Sequence, residues 1–175
     1  MACHFRLVSL PLLAVAILFS STGTHADPRD CAVKNMKLSD LEGDWKSEVS
    51  SQDLTLPEQL RGQTVIAHFA LEGDHSAILT FKGLDNYKGH YTQAQPHDRP
   101  GYLVNRLPTG DGSITEIHNQ VIALDPSRYL VIVSEVQDGD DNDWGLWLRP
   151  DVQSLTADEY NEVAKGMNCA GLQYP

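Results

Sequence analysis

The sequence predicts an all-β fold, either an antiparallel barrel or a sandwich, followed by one C-terminal α-helix. Three observations support this class. Short runs of alternating apolar and polar residues recur at regular spacing along most of the chain. Turn signals rich in glycine, proline and aspartate separate these runs. A single segment near the C-terminus combines helical periodicity with a capping signal. Closely spaced short strands are typical of antiparallel β proteins.

Residues 1–26 are expected to be a secretory signal peptide and not part of the fold. Arg6 supplies a positive charge, residues 7–19 are an apolar run, and Thr24-His25-Ala26 places small residues before a cleavage site. The apolar run is too short for a membrane-spanning helix. We expect cleavage before Asp27, and an uncleaved anchor is the alternative.

The remaining residues, 27–175, have the length of one domain with a sizeable core. The chain is acidic, with a formal net charge of −11, which argues against nucleic acid and against anionic membranes as partners. Cys31 and Cys169 lie near the two ends of the domain, and in an oxidising compartment we expect them to form a disulfide bond. No C-x-x-C motif occurs, so redox catalysis is not expected.

The first three strands are predicted from alternation and from the turn between two of them. Gly43–Ser50 is the first strand, and residues 51–63 form a long loop after it. Residues 64–71 and residues 75–82 both place alternate apolar side chains on one face. Because Glu72-Gly73-Asp74 is a tight-turn signal between them, the two runs form a hairpin.

Five further strands follow, separated by turn signals. The predicted runs are a polar strand at residues 88–95, a short strand at 102–107, a longer one at 114–124, a very apolar one at 129–136 and a last strand at 144–149. Turn residues occupy positions 96–100, 109–112 and 125–127, and an acidic loop precedes the last strand. The total is therefore about eight strands before the helix.

The helix is predicted to start after Thr156, because Thr156 and Glu159 form a capping box. An apolar stripe at helical spacing follows, consisting of Tyr160, Val163, Ala164 and Met167. The stripe predicts that the helix packs on the outside of the sheet. Gly166 and Gly171 are candidate stop signals.

Three local motifs resemble those of the lipocalin family. Gly43-Asp44-Trp45 matches the G-x-W motif on the first strand of that family. Asp125 and Tyr129 match the aspartate and the final tyrosine of its T-D-Y-x-x-Y turn, and Arg149 matches the arginine that ends its last strand. The resemblance covers nearly all of residues 27–175. It implies an eight-stranded antiparallel up-and-down β-barrel with one C-terminal α-helix packed outside.

The chain departs from the family pattern in the second motif, where Leu124 replaces the usual threonine and Pro126 the usual tyrosine. This departure concerns the contacts of that turn with partners more than the fold. The proposed disulfide is similar to that of the retinol-binding branch, and residues 60–82 are somewhat similar to the matching hairpin of β-lactoglobulin-like lipocalins.

The two ends of such a barrel have different expected roles. One end must be plugged, or water enters from both sides. We expect Gly43, Trp45 and Arg149 to form a structural base there, with the guanidinium group over the indole ring. The mouth is expected to carry a few polar side chains that give selectivity, with His75, His90, Tyr91 and Tyr102 as candidates. The long loop after the first strand is expected to gate the mouth.

The inward-facing apolar residues have two interpretations, a filled core or the wall of a ligand cavity. The small side chains of Ala67 and Ala77, among larger neighbours, favour a cavity. The candidate wall consists of Val65, Ala67, Phe69, Leu71, Ala77, Leu79 and Phe81 from the hairpin, with Val121, Leu130 and Ile132 from later strands.

Other chemistries have weak support in the sequence. The histidines show neither H-x-H nor H-x-x-x-H spacing, so neither a metal ion nor another cofactor is expected. The acidic loop at residues 138–143 lacks the glycine that a calcium loop requires at its sixth position. Neither G-x-S-x-G nor H-E-x-x-H occurs, and we expect no enzyme activity.

The function that we predict is extracellular binding and transport of a small hydrophobic or amphipathic molecule, such as a fatty acid, a retinoid or a steroid. One alternative is a protein-interaction or inhibitor module with a filled barrel. A less favoured alternative is an isomerase-type enzyme on the same scaffold. A cationic amine is a further ligand class, on the condition that an acidic side chain enters the cavity.

Overall fold

The computed structural model describes residues 31–50, 63–93, 101–108, 113–135 and 143–173. The predicted signal peptide, almost all of the predicted gating loop and most of the acidic loop lie outside these residues.

The described strands form one closed barrel in which each strand pairs antiparallel with the next and the last pairs with the first. They are β1 Gly43–Ser50, β2 Ile66–Leu71, β3 Ser76–Phe81, β4 Leu84–Gln93, β5 Tyr102–Pro108, β6 Ile114–Asp125, β7 Tyr129–Glu135 and β8 Asp143–Leu148. A short 3-10 helix, Leu38–Leu41, precedes β1, and the helix α1, Ala157–Cys169, follows β8. The predicted eight-stranded up-and-down barrel with a C-terminal helix is confirmed.

The barrel wall buries apolar side chains on both of its faces, in two separate clusters. The inner cluster faces the interior of the barrel and includes Trp45, Phe69 and Leu130. The outer cluster lies between α1 and strands β6 to β8, and it includes Val131 and Met167. Because β7 contributes alternate residues to each cluster, it is buried on both faces, which explains why its sequence is the most apolar run.

A β-bulge in β6 changes the face that this strand presents. The register with β7 shifts between Val121 and Ala123. Val121 belongs to the inner cluster, whereas Ile122 and Ala123 both belong to the outer cluster. The bulge therefore lets β6 line the barrel over one part and support α1 over the next.

The N-terminus of α1 has the predicted capping box. Thr156 Oγ1 accepts a hydrogen bond from the backbone N–H of Glu159, and the Glu159 carboxylate accepts one from the backbone N–H of Thr156. Glu159 also forms an ion pair with Arg128, in the turn after β6. The Arg128 guanidinium and the Thr156 N–H together lower the pKa of the Glu159 carboxyl. Capping and attachment of the helix to the barrel therefore share one side chain.

The predicted apolar stripe of α1 is buried only in part. Val163 and Met167 are fully buried in the outer cluster, whereas Tyr160 is 43% exposed. Tyr160 lies in the first turn of the helix, ahead of Val163 and of Gly166, which approaches β6. The prediction that the helix packs outside the barrel is confirmed, and the assignment of Tyr160 to the buried stripe is wrong.

Gly166 does not end the helix, which continues to Cys169. A Cβ atom at Gly166 would lie 2.7 Å from the carbonyl oxygen of Ile122, so a glycine is required where the helix touches the β6 bulge. Gly171, with a φ of 71°, is the residue that ends the helix in the left-handed conformation. The prediction was correct for Gly171 and wrong for Gly166.

The predicted disulfide bond joins Cys31 to Cys169, with 5.7 Å between the Cα atoms. It spans a sequence separation of 138 residues. A crosslink of this span is worth about 4–5 kcal/mol in the chain-entropy model. The bond fastens the segment before the barrel to the last residue of α1.

We predict that Gly166→Ala lowers the free energy of unfolding by about 1–3 kcal/mol, because the new methyl group overlaps a backbone carbonyl. In an unobstructed helix the same change stabilises by about 0.5–1 kcal/mol. The exposed position Asn168→Ala is the matched control, and it should be neutral or slightly stabilising. Urea unfolding measures both, and a more stable Gly166→Ala variant would contradict the close contact.

A second prediction concerns acid stability through Glu159. Because folding lowers the pKa of this carboxyl, the group stabilises the folded state above its ordinary pKa, about 4.3, and this contribution is lost as the pH falls toward the lowered pKa. The difference in free energy of unfolding between wild type and Glu159→Gln should therefore be largest near pH 7 and shrink below about pH 4.3. Glu162→Gln, at an exposed position of α1, is the control. A difference that is constant from pH 7 to pH 3 would contradict this prediction.

Candidate ligand-binding site

The base of the barrel is closed by Trp45, which is fully buried. Its indole Nε1 donates a hydrogen bond of 2.7 Å to the carbonyl of Leu41, at the end of the 3-10 helix. The guanidinium carbon of Arg149 lies 3.7 Å from the centroid of a Trp45 ring. The indole therefore has a helix on one side and a cation on another, and we call this end of the barrel the base.

Arg149 also joins two segments of backbone at the base through three carbonyls. Its Nε donates to the carbonyl of Pro126 at 2.7 Å, and its Nη1 donates to the carbonyls of Glu42 at 2.9 Å and Asp44 at 3.3 Å. Burial lowers the pKa of the Arg149 guanidinium. Gly43 has a φ of 101°, and a Cβ atom there would lie 3.1 Å from Arg149 Nη1. Glycine therefore meets both the backbone conformation and the space at this position.

The predicted wall residues all face the inside of the barrel. Val65, Ala67, Phe69, Ala77, Leu79, Phe81, Val121, Leu130 and Ile132 belong to the inner cluster, and Leu71 packs against it with part of its surface exposed. The small residues Ala67 and Ala77 lie opposite the aromatic rings of Phe81 and Tyr91 on the neighbouring strands. The strands thus alternate large and small side chains around the interior.

Burial is not uniform along the inner face. Leu41, Leu103 and Leu130 have no accessible surface, whereas Ile132 retains 9%. Other inner-face residues are only partly buried, among them Ser47, Leu84, Ile117, Gly145 and Trp147. The interior is therefore sealed around the base and keeps accessible surface elsewhere along its wall.

Four buried polar side chains lie on the inner face of four consecutive strands. These residues, which we call the polar arc, are Asn105 on β5, Asn119 on β6, Ser134 on β7 and Asp143 on β8. Ser134 pairs with Asn119 on one side and with Asp143 on the other, so the three side chains point to the same face. Ser134 Oγ donates a hydrogen bond of 2.7 Å to Asn119 Oδ1.

The ends of the polar arc have different surroundings. Asp143 Oδ1 accepts a hydrogen bond of 2.9 Å from the backbone N–H of Trp144. Asn105 Oδ1 is buried and accepts no hydrogen bond from the described residues. It lies 2.8 Å from where a Cβ atom of Gly89 would be, so it occupies the space that this glycine leaves on the inner face. A buried acceptor without a donor is costly for the folded state.

The residues proposed for the mouth are mostly elsewhere. His75 lies in the turn between β2 and β3 and contributes to a depression of about 330 Å³ beside Met36, near the base. His90 is exposed, with its Nδ1 3.7 Å from Glu72 Oε2. Tyr102 lies at the start of β5 and hydrogen-bonds His118 on the outer face. Only Tyr91 faces inward, where its ring packs edge-on against Phe69 at 5.3 Å.

Sequence reasoning missed the polar arc because it searched for apolar residues at inward positions. The alternation of inward and outward residues on β7 and β8 does indicate these polar positions. Leu130 and Ile132 fix the inward parity of β7, and Ser134 follows at the same parity. On β8 the inward position is Trp147, which places Asp143 on the same face.

Two other kinds of site are not found in the described part of the chain. No group of three or more potential metal-ligating side chains lies together there. Of the large hydrophobic side chains in these ranges, only Ile114 and Tyr160 are exposed, and they lie on different elements. Single exposed residues of this kind are normal on a protein surface. In the same residues, no helix has the length and apolarity to cross a membrane.

Comparisons with known proteins find similarity in structure. No protein-family model matches the sequence, and no curated protein matches it at a significant level. A crystal structure of LTBP1 with LTC4 covers 81% of this chain and 88% of its own, at 11% identity and a TM-score of 0.55. A biogenic amine-binding protein covers 85% and 81%, at 15% identity and a TM-score of 0.57. Insecticyanin of the tobacco hornworm Manduca sexta covers 78% and 75%, at 17% identity and a TM-score of 0.55. Similarity at these identities establishes the fold.

We predict that Arg149→Met lowers the free energy of unfolding by about 2–4 kcal/mol, because several carbonyls at the base lose their donor. In a double-mutant cycle with Trp45→Leu, the coupling energy should be about 1–2 kcal/mol. Arg106→Met is the control, because Arg106 forms an exposed ion pair with Glu116, and its loss should change stability by less than about 1 kcal/mol. Denaturant unfolding measures all of these, and additive effects of the two base mutations would contradict an energetic contact.

Proposed function

We propose that this chain, which has the lipocalin fold, binds a small apolar or amphipathic molecule inside its barrel and carries it in the extracellular space. The inner wall is apolar over most of its area. Burial of apolar ligand surface against it supplies most of the affinity, at about 25 cal/mol per Å².

The observation that carries this proposal is the uneven burial of the inner face. Trp45 and Leu103 seal the interior near the base, whereas Ile132 and Trp147 keep accessible surface although they point into the barrel. An interior that is closed at one end and accessible elsewhere is the geometry of a container. The candidate wall residues of β2 and β3 supply its apolar lining.

The names of the structural neighbours support a binding role. One neighbour was crystallised with leukotriene C4, and another is a biogenic amine-binding protein. Neither name describes an enzyme. We accordingly propose a binding protein without catalytic activity of its own.

Secretion is part of the proposal. Its support is the sequence of residues 1–26, together with the disulfide bond between Cys31 and Cys169. Disulfide bonds of this structural kind form in oxidising compartments. Mass spectrometry of the protein from culture medium tests this, with an N-terminus at Asp27 as the expected result.

We predict that the neutral fluorescent probe N-phenyl-1-naphthylamine, or retinol, binds this protein with saturable enhancement of fluorescence. Ala67→Leu should weaken the binding of the probe by about tenfold or more, because the larger side chain fills interior space. Ala70→Leu is the matched control, since Ala70 lies on the same strand at the opposite parity. Circular dichroism verifies the fold of both variants.

Two results would contradict binding inside the barrel. If wild-type protein binds neither probe and a crystal structure shows side chains filling the interior, the barrel is not a carrier. Equal effects of the two substitutions would instead place the probe outside the barrel.

A further inference from the structure

We propose that Trp147 and Ser47 form one recognition point in the barrel interior, and that the ligand they bind is a flat conjugated molecule with a neutral hydrogen-bond acceptor, such as a carbonyl group. This inference rests on the proposed carrier function, and it names the ligand class and two contact residues of the same site.

Trp147 and Ser47 are direct neighbours on the inner face of the wall. They are paired residues of β8 and β1, so their side chains start from adjacent points. Trp147 packs against the inner cluster, and Ser47 has the same inward parity as Trp45 two residues before it. Both are only partly buried, whereas Leu130, the partner of Trp147 on β7, has no accessible surface. The accessible surface of the pair therefore faces the interior.

The indole ring of Trp147 lies over Gly145, on the side of Trp147 that is away from the base. A Cβ atom at Gly145 would be 2.8 Å from the indole Nε1, so a glycine is required for the ring to take this position. Gly145 is itself only partly buried. Its partner on β7 is Ile132, which also retains accessible surface. The ring therefore lies in the accessible part of the interior, beyond the residues that seal the base.

Both side chains carry a hydrogen-bond donor that meets no acceptor in the described residues. Ser47 Oγ accepts a hydrogen bond of 2.8 Å from the backbone N–H of Val65, which leaves its own hydrogen free to donate. The Trp147 indole N–H can only donate, and it makes no hydrogen bond within the described ranges. The fully buried polar atoms without a partner in these ranges belong to Asn105 and Gln120. The indole N–H is not one of them, so a ligand can reach it.

Two adjacent donors complement an acceptor group of the ligand. A carbonyl oxygen has two lone pairs and can accept from both donors, whereas a group that only donates would leave them unpaired. No lysine or arginine lies at an inward position of the described strands. A ligand carboxylate would therefore be buried there without a counter-ion, which is costly. A neutral acceptor is the group that fits.

The accessible indole favours a conjugated ligand over a saturated ligand of the same size. Aromatic rings that pack on an indole, offset-stacked or edge-to-face, gain attraction beyond the burial of their area. In an aromatic ketone the ring and the carbonyl group belong to one rigid conjugated system. Such a molecule presents the two complementary features together, with little conformational freedom to lose on binding.

The test compares three neutral ligands of similar size. These are 2-acetylnaphthalene, which has both features, 2-ethylnaphthalene, which lacks the acceptor, and 2-acetyldecalin, which lacks the flat ring. Isothermal titration calorimetry with the full secreted domain gives the dissociation constants of wild type and variants. The measured quantity is the change on mutation in the ratio of two constants, because differences in ligand hydrophobicity then cancel.

Trp147→Phe keeps an aromatic ring and removes the N–H, so it should weaken 2-acetylnaphthalene by about fivefold relative to 2-ethylnaphthalene. Ser47→Ala should have the same effect on this ratio. Trp147→Leu should in addition weaken both naphthalenes by about fivefold relative to 2-acetyldecalin. Trp144→Phe is the matched control, since Trp144 lies on the same strand in the outer cluster, and it should leave both ratios unchanged.

The outcomes separate this inference from the carrier function. If the ligands bind and the three variants at Trp147 and Ser47 leave both ratios unchanged, the carrier function stands and the inference is wrong. Binding of the neutral fluorescent probes without binding of 2-acetylnaphthalene has the same meaning. If none of the ligands and neither probe binds, the carrier function itself fails. If Ser47→Ala does not fold, because Val65 loses its acceptor, the two variants at Trp147 decide the question.

Discussion

The contact between Trp45 and Arg149 is the constraint on which the rest of the barrel depends. A barrel of eight strands has an interior that water can enter from both ends, and an open base would leave the inner cluster without protection. The fully buried indole blocks that end. The Arg149 guanidinium group lies over the indole ring. It donates hydrogen bonds to backbone carbonyls in the turn after β6 and at the start of β1. The Arg149 side chain thus fixes the start of β1, the turn after β6 and the Trp45 indole relative to one another.

The outer surface of the wall is organised around a second contact, between α1 and the β6 bulge. Gly166 allows the helix to approach the Ile122 carbonyl, and the capping residue Glu159 reaches the turn at Arg128. The disulfide bond then fixes the end of the helix to the segment before the barrel. The helix is attached at both ends and in the middle, so strands β6 to β8 have a rigid support. This is the same part of the wall that carries three of the four residues of the polar arc.

The sequence allowed prediction of what depends on local pattern. Strand positions, the helix cap and the inward parity of β2 and β3 follow from alternation and from capping residues, and the motifs around Trp45 and Arg149 specified the closure. The locations of His75 and Tyr102 could not be predicted in the same way, because they depend on which strand ends meet at which end of the barrel. Gly166 was misread because a close approach of helix and strand is a tertiary contact without a local signal. Asn105 and Asp143 were overlooked because a polar residue at an inward position looks like an ordinary surface residue until the register is known.

The bulge in β6 also constrains how the length of this strand can change. Residues before the bulge are paired with β7 in one register, and residues after it in another. Loss of one residue at the bulge, with the following turn held in place by Arg149, would rotate the earlier half of β6 by one position. Asn119 and Val121 would then leave the interior, and His118 and Gln120 would enter it. A single deletion at an outward-facing bulge residue would thus change which side chains line the barrel interior, although none of the lining residues is itself mutated.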